Sequence, residues 1–433
     1  MQEQITAGVG GVAPCPQCGA DIPAGERFVR WCTVCDWNVD PEAAAPTPGR
    51  LAALQRRLAH RHGEQLHAEL LTDPAARPRR DRAAGFAFAV ALAVHGLTLA
   101  LALCGLLLVV LGWSTVSQPL LGAVLLVLAY GLRPRFARLP KGRPVLRRSD
   151  APRLFGLVDQ VAQAVGTTGV DTVAVTADFN ASVAAVGIRG RRHLEIGLAL
   201  WEVLDWQERI ALLGHELGHY AHGDTRHGRV LGSALRSLTL WRFFLAPHGF
   251  GLRRRSLQEL FIDALLALPR WLVYAVSALL ERLTLRAAQR AEYLADRAAA
   301  RAGSSEAATA LLDRMLIAES VITTLRTQSV IAHTRSGTAD RRTAAEGLWE
   351  RIAERAATVP EREYERLRRV SARRGHSVDD THPPTHLRRS LIQFTGSSPA
   401  AVVVPPDLAT AVTAELAQRR AAVAREAIRD LAG

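Results

Sequence analysis

Lysine is almost missing from this chain. Lys141 is the only one in 433 residues, so the formal net charge of +13 rests on arginine. A nucleic-acid-binding surface would explain a basic charge but not the missing lysine. No recognition motif accompanies the charge, so nucleic acid is not expected as a partner. Charged residues are also sparse, 22% against 48% hydrophobic, which leans toward a membrane protein. Basic flanks beside membrane segments account for the charge better. The alanine excess and the lysine deficit read as a compositional bias of the source genome. Met1 to Ala13 lacks the basic segment and apolar core of a signal peptide. The N-terminus is therefore expected in the cytoplasm, where thiols stay reduced and available to metal. Cysteine is scarce, with five in all. Cys104 lies in an apolar run and reads as an inert small hydrophobe.

The other four cysteines form two pairs, Cys15-x-x-Cys18 and Cys32-x-x-Cys35. Two such knuckles joined by a short loop supply four thiolates to one Zn²⁺. Residues 13–40 are read as a zinc ribbon, which buries too little core to fold without metal. Residues 41–82 follow as a Pro/Ala linker, Pro41 to Pro48, and an exposed amphipathic helix, Leu51 to Leu71. On that helix His60, His62 and His67 are expected to be solvated. Two apolar runs, about Ala83 to Trp113 and Val116 to Leu132, flank a tight turn and read as a transmembrane hairpin over 83–132. Arg77, Arg79, Arg80 and Arg82 precede it, and Arg133, Arg135, Arg138, Lys141 and Arg143 follow it. This pattern puts both ends of the hairpin in the cytoplasm.

From Asp150 the pattern becomes that of an α+β domain. Arg153 to Val165 is helix-like. Asp171 to Thr176, Ala181 to Val186 and His193 to Ile196 read as short strands. Asp205 and Glu208 form an Asp version of a capping box, and Gly223 is the expected stop of the helix they open. Val230 to Leu245 and Leu257 to Leu280 are again apolar, but carry Arg236, Arg242, Asp263 and Arg270. A charge at mid-bilayer costs about 2.5–3.5 kcal/mol, so residues 230–280 are left open between a second hairpin and helices lying against the membrane. Residues 394–433 are a linker and a helical tail, Leu408 to Leu431, with no functional reading.

His215-Glu216-Leu217-Gly218-His219 is an HExxH motif inside the helix-compatible stretch Gln207 to Tyr220. Helix positions i and i+4 share a face, so both imidazoles can reach one Zn²⁺ with Glu216 beside them as general base. A catalytic zinc takes three protein ligands and keeps one open position. The HExxHxxGxxH completion fails, because the chain has His222 and Thr225 where it needs Gly and His. The remaining route is a carboxylate from a later helix. Arg286 to Gly303 is strongly helical and places Glu292 and Asp296 on one face. One of them can bind the metal while the other orients the site.

HELGHYAHGD at 215–224 followed by EYLAD at 292–296 resembles the membrane-bound zinc metallopeptidases of the HtpX and CAAX prenyl protease type. Asn180-Ala181 and the late segment Thr381 to Arg388 resemble two further motifs of that family, and the likeness runs from about Asp150 to Gln393. The resemblance implies an α+β, mainly α-helical zincin-like domain over 150–393, with a small edge-exposed sheet. It implies that His215, His219 and Glu292 bind a catalytic zinc. Glu216 would activate the attacking water, and His382 would stabilise the oxyanion. Asp296 would support the site, paired with Arg388, and Asn180 and Ala181 would help to bind substrate as an added strand. The expected function is a zinc endopeptidase anchored in the plasma membrane by several passes, its catalytic domain facing the cytoplasm. Its partners would be peptide or protein substrates and the lipid bilayer, with damaged membrane proteins as plausible targets. Oligomeric state is not legible. The competing function is a non-catalytic membrane scaffold or regulator that uses the ribbon to bind a partner. Structural zinc has no use for a general base, so Glu216 counts against it.

Overall fold

A computed structural model describes residues 12–23, 27–41, 50–73, 82–139, 144–222, 225–246, 257–334, 338–374 and 382–430. Several expectations lie outside the described residues: most of the 41–48 linker, Arg77, Arg79, Arg80, Lys141, Arg143, Gly223 as helix stop, Asp224, Thr381 and Leu431. The side chains of His222 and His227 lie outside them too.

The first described element is a two-stranded antiparallel hairpin, β1 (Val12–Pro14) and β2 (Asp21–Pro23). Helix α1 (Arg50–Thr72) follows, and here the structure corrects the sequence. One face of the helix is buried rather than exposed. Leu66 and Leu70 are fully buried against Tyr293 and Leu391. Burying two leucines contributes roughly 3–6 kcal/mol, enough to hold a helix that would otherwise be solvated. The Tyr293 hydroxyl donates to the Gly63 carbonyl at 3.1 Å, and Gln289 donates to that of Ala59 at 2.9 Å. His62 and His67 are half-buried rather than fully solvated, each with one ring nitrogen, His62 Nδ1 and His67 Nε2, out of contact with solvent. His60 faces Glu64 at 3.4 Å.

Helices α2 (Arg82–Leu111) and α3 (Ser117–Leu132) form the apolar hairpin. They approach closely at two glycines: a Cβ on Gly122 would stand 2.7 Å from the Gly105 carbonyl oxygen. Leu99, Leu107, Val110, Leu120 and Val127 are each more than half exposed. Helix α2 is long and apolar enough to cross a membrane, while α3 is a shorter apolar helix.

A four-stranded sheet comes next. Strand β3 (Val145–Leu146), just ahead of the expected Asp150 boundary, pairs with β4 (Thr172–Thr176). Helix α4 (Pro152–Val165) lies between them and ends in a left-handed Gly166, φ +81°. Strand β5 (Ala181–Val186) is at the edge, antiparallel to β6 (Arg191–Gly197), and the order is β3-β4-β6-β5. The three expected strands are present, each within two residues at either end. A short α5 (Leu198–Trp201) leads to α6 (Trp206–His222), which carries HExxH. The capping box forms reciprocally: Glu208 N–H donates to Asp205 at 2.7 Å, and Asp205 N–H donates to Glu208 at 2.9 Å.

Helix α7 (Thr225–Phe244) packs Ala234, Leu238 and Trp241 against Ala87, Ala91 and Val94 of α2. His95 meets Ser233 there, Nε2 to Oγ 2.9 Å. The sequence reads two separate segments, Leu257 to Leu280 and Arg286 to Gly303; the structure joins them in one helix, α8 (Leu257–Gly303), of 47 residues. Its first part is also long and apolar enough to cross a membrane. The charges that interrupt it are partly neutralised, because Asp263 and Arg270 pair at 3.2 Å. Helix α8 therefore runs from an exposed apolar surface into the core that holds the carboxylates.

The rest is helical. Helices α9 (Ser305–Met315), α10 (Ala318–Thr334), α11 (Thr338–Ala345) and α12 (Leu348–Ala357) come first. Helices α13 (Glu361–Arg374), α14 (Thr385–Phe394) and α15 (Pro406–Asp430) complete the described chain. The tail α15 is not detached. Val412, Leu416, Val423, Ala427 and Ile428 join the main core, and Glu415 accepts from the N–H groups of Arg153 and Leu154 at the start of α4.

Candidate metal centre

Two small-residue faces bring the site together. Helix α6 crosses α8 where Gly214 and Gly218, one turn apart, meet Ala295, Ala298, Ala299 and Ala302. A Cβ on Gly218 would stand 2.8 Å from Ala298 Cβ, and one on Gly214 would stand 2.7 Å from Ala302 Cβ. Neither has room, so both positions require glycine for a close helix approach rather than for a special φ. That approach brings the HExxH face to Glu292. These glycines were not singled out from the sequence, although their spacing opposite an alanine-rich helix was a usable signal.

His215 and His219 stand one above the other, with ring centroids 4.9 Å apart and the planes nearly perpendicular. Both present Nε2 to Glu292, His215 at 3.5 Å from Oε2 and His219 at 3.6 Å from Oε1. One ligating atom from each of the three lies within 4.8 Å of the others. His382, just before α14, places Nε2 3.4 Å from Glu292 Oε1. On the far side of His215, Nδ1 lies 3.1 Å from Asp296. Asp296 in turn takes both arms of Arg388, Nη2 at 2.6 Å and Nε at 2.8 Å. Glu216 is buried beside these groups.

The donor set fits a divalent cation. Glu292 Oε2 is buried and has no hydrogen-bond partner in the structure. Such an orphaned acceptor is costly unless a cation or other donor meets it. Donation from His215 Nδ1–H to Asp296 fixes the tautomer that leaves Nε2 as a lone-pair donor. Two imidazoles and one carboxylate make a zinc-type set.

The electrostatics follow from burial and from these neighbours. Burial disfavours the charge on His215, but Asp296 and then Glu292 overcome it and push its pKa up to about 10. A cation arriving at Nε2 must displace that second proton. His219 falls to about 4, first through burial and then through His215. Burial works against the Glu292 carboxylate, yet His215 and Arg388 bring it down to about 2. Asp296 is held well below the carboxylate range by Arg388 despite its burial. For Glu216 burial outweighs the pull of His215 and raises it to about 7.

Asn180 and Ala181 lie at the start of the edge strand β5, with Asn180 exposed. The Asn180 carbonyl accepts from Gly197 N–H at 2.9 Å. β5 packs against α6, the HExxH helix. No strand covers that edge among the described residues.

A second cluster stands apart, in the ribbon. The Sγ atoms of Cys15 and Cys35 are 3.6 Å apart, as are those of Cys18 and Cys32, and all four lie within 4.8 Å of one another. Sulfurs about 2.3 Å from a common tetrahedral centre would lie about 3.8 Å apart, so the spacing suits one zinc ion. Each knuckle closes its own turn: Gly19 N–H donates to the Cys15 carbonyl at 2.9 Å, and Asp36 N–H to that of Cys32 at 3.0 Å. The φ of Gly19 is +74°, where glycine is favoured.

An HExxH helix facing a glutamate from a second helix, with a supporting aspartate one turn on, is the arrangement of an HtpX-type membrane zinc metallopeptidase family. Residues 149–393 match the model of peptidase family M48, more than half of the chain, and the chain belongs to that family. It is similar to a protease HtpX homolog of Pyrobaculum calidifontis (strain DSM 21063 / JCM 11548 / VA1), 27% identical over 241 residues. That match covers 55% of this chain and 66% of the relative. It is also similar to a protease HtpX homolog of Methanothermobacter thermautotrophicus (strain ATCC 29096 / DSM 1053 / JCM 10044 / NBRC 100330 / Delta H). There the identity is 29% over 109 residues, 24% of this chain and 41% of the relative. The chain thus spans less than two thirds of the length of either curated relative. No solved structure matches it.

Proposed function

We propose that this chain is a zinc-dependent endopeptidase anchored in the plasma membrane. The domain over 150–393 would be zincin-like and face the cytoplasm, and the ribbon over 13–40 would hold a structural zinc. The reading is carried by one observation: His215, His219 and Glu292 converge, with one ligating atom of each within 4.8 Å of the others, at a buried carboxylate whose Oε2 makes no hydrogen bond, and Glu216 lies alongside. His215, His219 and Glu292 would hold the zinc. Bound there, the metal supplies Lewis-acid polarisation of a carbonyl and acidifies water.

Everything else falls to the protein's own groups. Glu216 takes the proton of the attacking water and passes it to the leaving amine. Its pKa, raised by burial to about 7, suits a base that works near neutral pH. His382 donates from Nε2 to the oxygen that gains charge in the transition state. Asp296 fixes the His215 tautomer, and Arg388 neutralises Asp296. The edge strand β5 receives the substrate in extended form, with Asn180 and Ala181 at its head. The exposed leucines of α2 and α3 and the apolar start of α8 would sit in lipid, which keeps the cleft near membrane-protein substrates. Removal of damaged membrane proteins is the role this placement suits.

Glu216→Gln against wild type is the decisive comparison, with zinc content and casein cleavage read together. The variant should keep its zinc and lose about 10²–10⁴-fold in kcat. Equal cleavage by both proteins would sink the mechanism.

A further inference from the structure

The ribbon is docked, and its partner is in the same chain. Helix α13 turns a row of arginines toward it. Arg362 donates to the carbonyls of Pro23, at 3.2 Å, and Trp31. Arg366 is buried, pairs with Glu363 and donates to the Val39 carbonyl at 2.9 Å. Arg369 reaches the Thr33 carbonyl at 2.8 Å and Asp36 at 2.6 Å. Arg373 takes the other Asp36 oxygen at 2.6 Å, and Arg374 pairs with Asp40. Trp31, 1% exposed, lies beneath the guanidinium groups of Arg362 and Arg369 and against Val39 and Val370.

Most of these acceptors are backbone carbonyls of the ribbon, so the grip depends on the ribbon's shape. The second knuckle sets that shape, with Asp36 and Asn38 both at positive φ, +57° and +56°. Such conformations are strained and persist only where the surroundings enforce them. The ribbon's own core is Ile22 and the cysteines, packed by Ala20 and Trp37. So small a core cannot enforce it, whereas four thiolates gathered on one cation can.

The opposite side of α13 leads to the candidate metal centre. Arg368 pairs with Asp313 of α9 at 2.9 Å, and Asp313 faces Arg389 of α14 at 3.3 Å. The preceding residue, Arg388, holds Asp296, which faces His215. His382 stands just ahead of the same helix.

We propose that Cys15, Cys18, Cys32 and Cys35 form a metal-dependent latch. Zn²⁺ held there keeps the ribbon in the shape that grips α13, and α13 keeps α14 in the register that presents Arg388 and His382. Soft thiolate ligands select zinc over the hard divalent cations. The grip on α13 stands on the contacts alone, and its effect on catalysis rests on the peptidase reading.

The test uses the full chain in detergent or lipid, with hydrogen exchange read over residues 361–374, zinc per chain, and peptide cleavage. Cys18→Ser/Cys35→Ser should drop from two zinc ions to one. Exchange in α13 should rise about tenfold or more as the helix loses its cover. kcat should fall roughly 2–30-fold, the span expected of groups acting through a network, with KM nearly unchanged. Arg369→Asp/Arg373→Asp should keep both zinc ions yet loosen α13 and slow cleavage, while Arg369→Lys/Arg373→Lys should restore most of both. Loss of the ribbon zinc with unchanged exchange in α13 overturns the latch, as does a wild type that binds one zinc. Two zinc ions and the α13 response without any cleavage by the wild type would uphold the grip and sink the peptidase reading.

Discussion

The two groups of candidate metal ligands in this chain are built in opposite ways. The ribbon takes four cysteines from one short stretch, sets them on tight turns and backs them with almost no core. The centre at His215 takes its groups from α6 and α8 and sets them on helices fixed by the largest core in the molecule. On the proposed reading, the first would gather its scaffold around a cation, and the second would offer a cation a scaffold already made. Metal should therefore matter to folding in one and to chemistry in the other.

Metal itself tests that contrast most strongly. Glu292→Gln should leave one zinc ion per chain, in the ribbon, and no detectable cleavage, because it removes the only carboxylate in the ligand set. Helix content by circular dichroism should stay at the wild-type level. Loss of helicity together with the zinc would mean that this centre, too, is assembled by its metal.

The next effect concerns the supports of the preformed centre. Arg388 is buried on Asp296, so Arg388→Met leaves a buried carboxylate uncompensated. It should cost about 3–5 kcal/mol in a denaturation midpoint shift. Metal affinity should fall about 10–100-fold as His215 loses its orientation. Gly218→Ala probes the helix crossing instead. The added methyl meets Ala298 Cβ at 2.8 Å and should cost about 1–3 kcal/mol, with weaker zinc binding by equilibrium dialysis. A silent Gly218→Ala would mean that the helices can part without disturbing the ligands.

Much of this was legible in the sequence, because short-range rules carried it. Asp205 and Glu208 cap the helix as their spacing requires, and the strands at 172–176 and 181–186 fall where short runs between polar turns put them. The grouping of His215 and His219 with Glu292 could be posed from helix periodicity and family resemblance. What could not be read was who packs against whom. Leu66 and Leu70 mark a buried face on α1 but do not name Tyr293 and Leu391 as its partners. The arginines of α13 look like a solvated run until the ribbon's carbonyls meet them. The fusion of two segments into α8 was hidden because the apolar run stops at Leu280, where Glu281 and Arg282 follow, while packing against α2 and α7 carries the helix through.

A last pair of effects, one of them the smallest expected, separates the two ways in which the segments before the matched domain are fastened to it. Helix α1 is held by apolar burial, whereas the ribbon is held largely by arginine. Leu70, fully buried beside Tyr293, should cost about 2–5 kcal/mol when cut to alanine. The salt bridge between the same helices, Arg286 with Glu69, is about half exposed. It gains little Coulomb energy in water and immobilises two long side chains, so Arg286→Ala should cost less than about 1 kcal/mol. Thermal melts of the two variants at low and high salt check this. The Leu70→Ala shift should hardly change with salt, and the small Arg286→Ala shift should fade as ions screen the pair. Comparable shifts for both would mean that charge fastens α1 as well, and the distinction between the two attachments would fail.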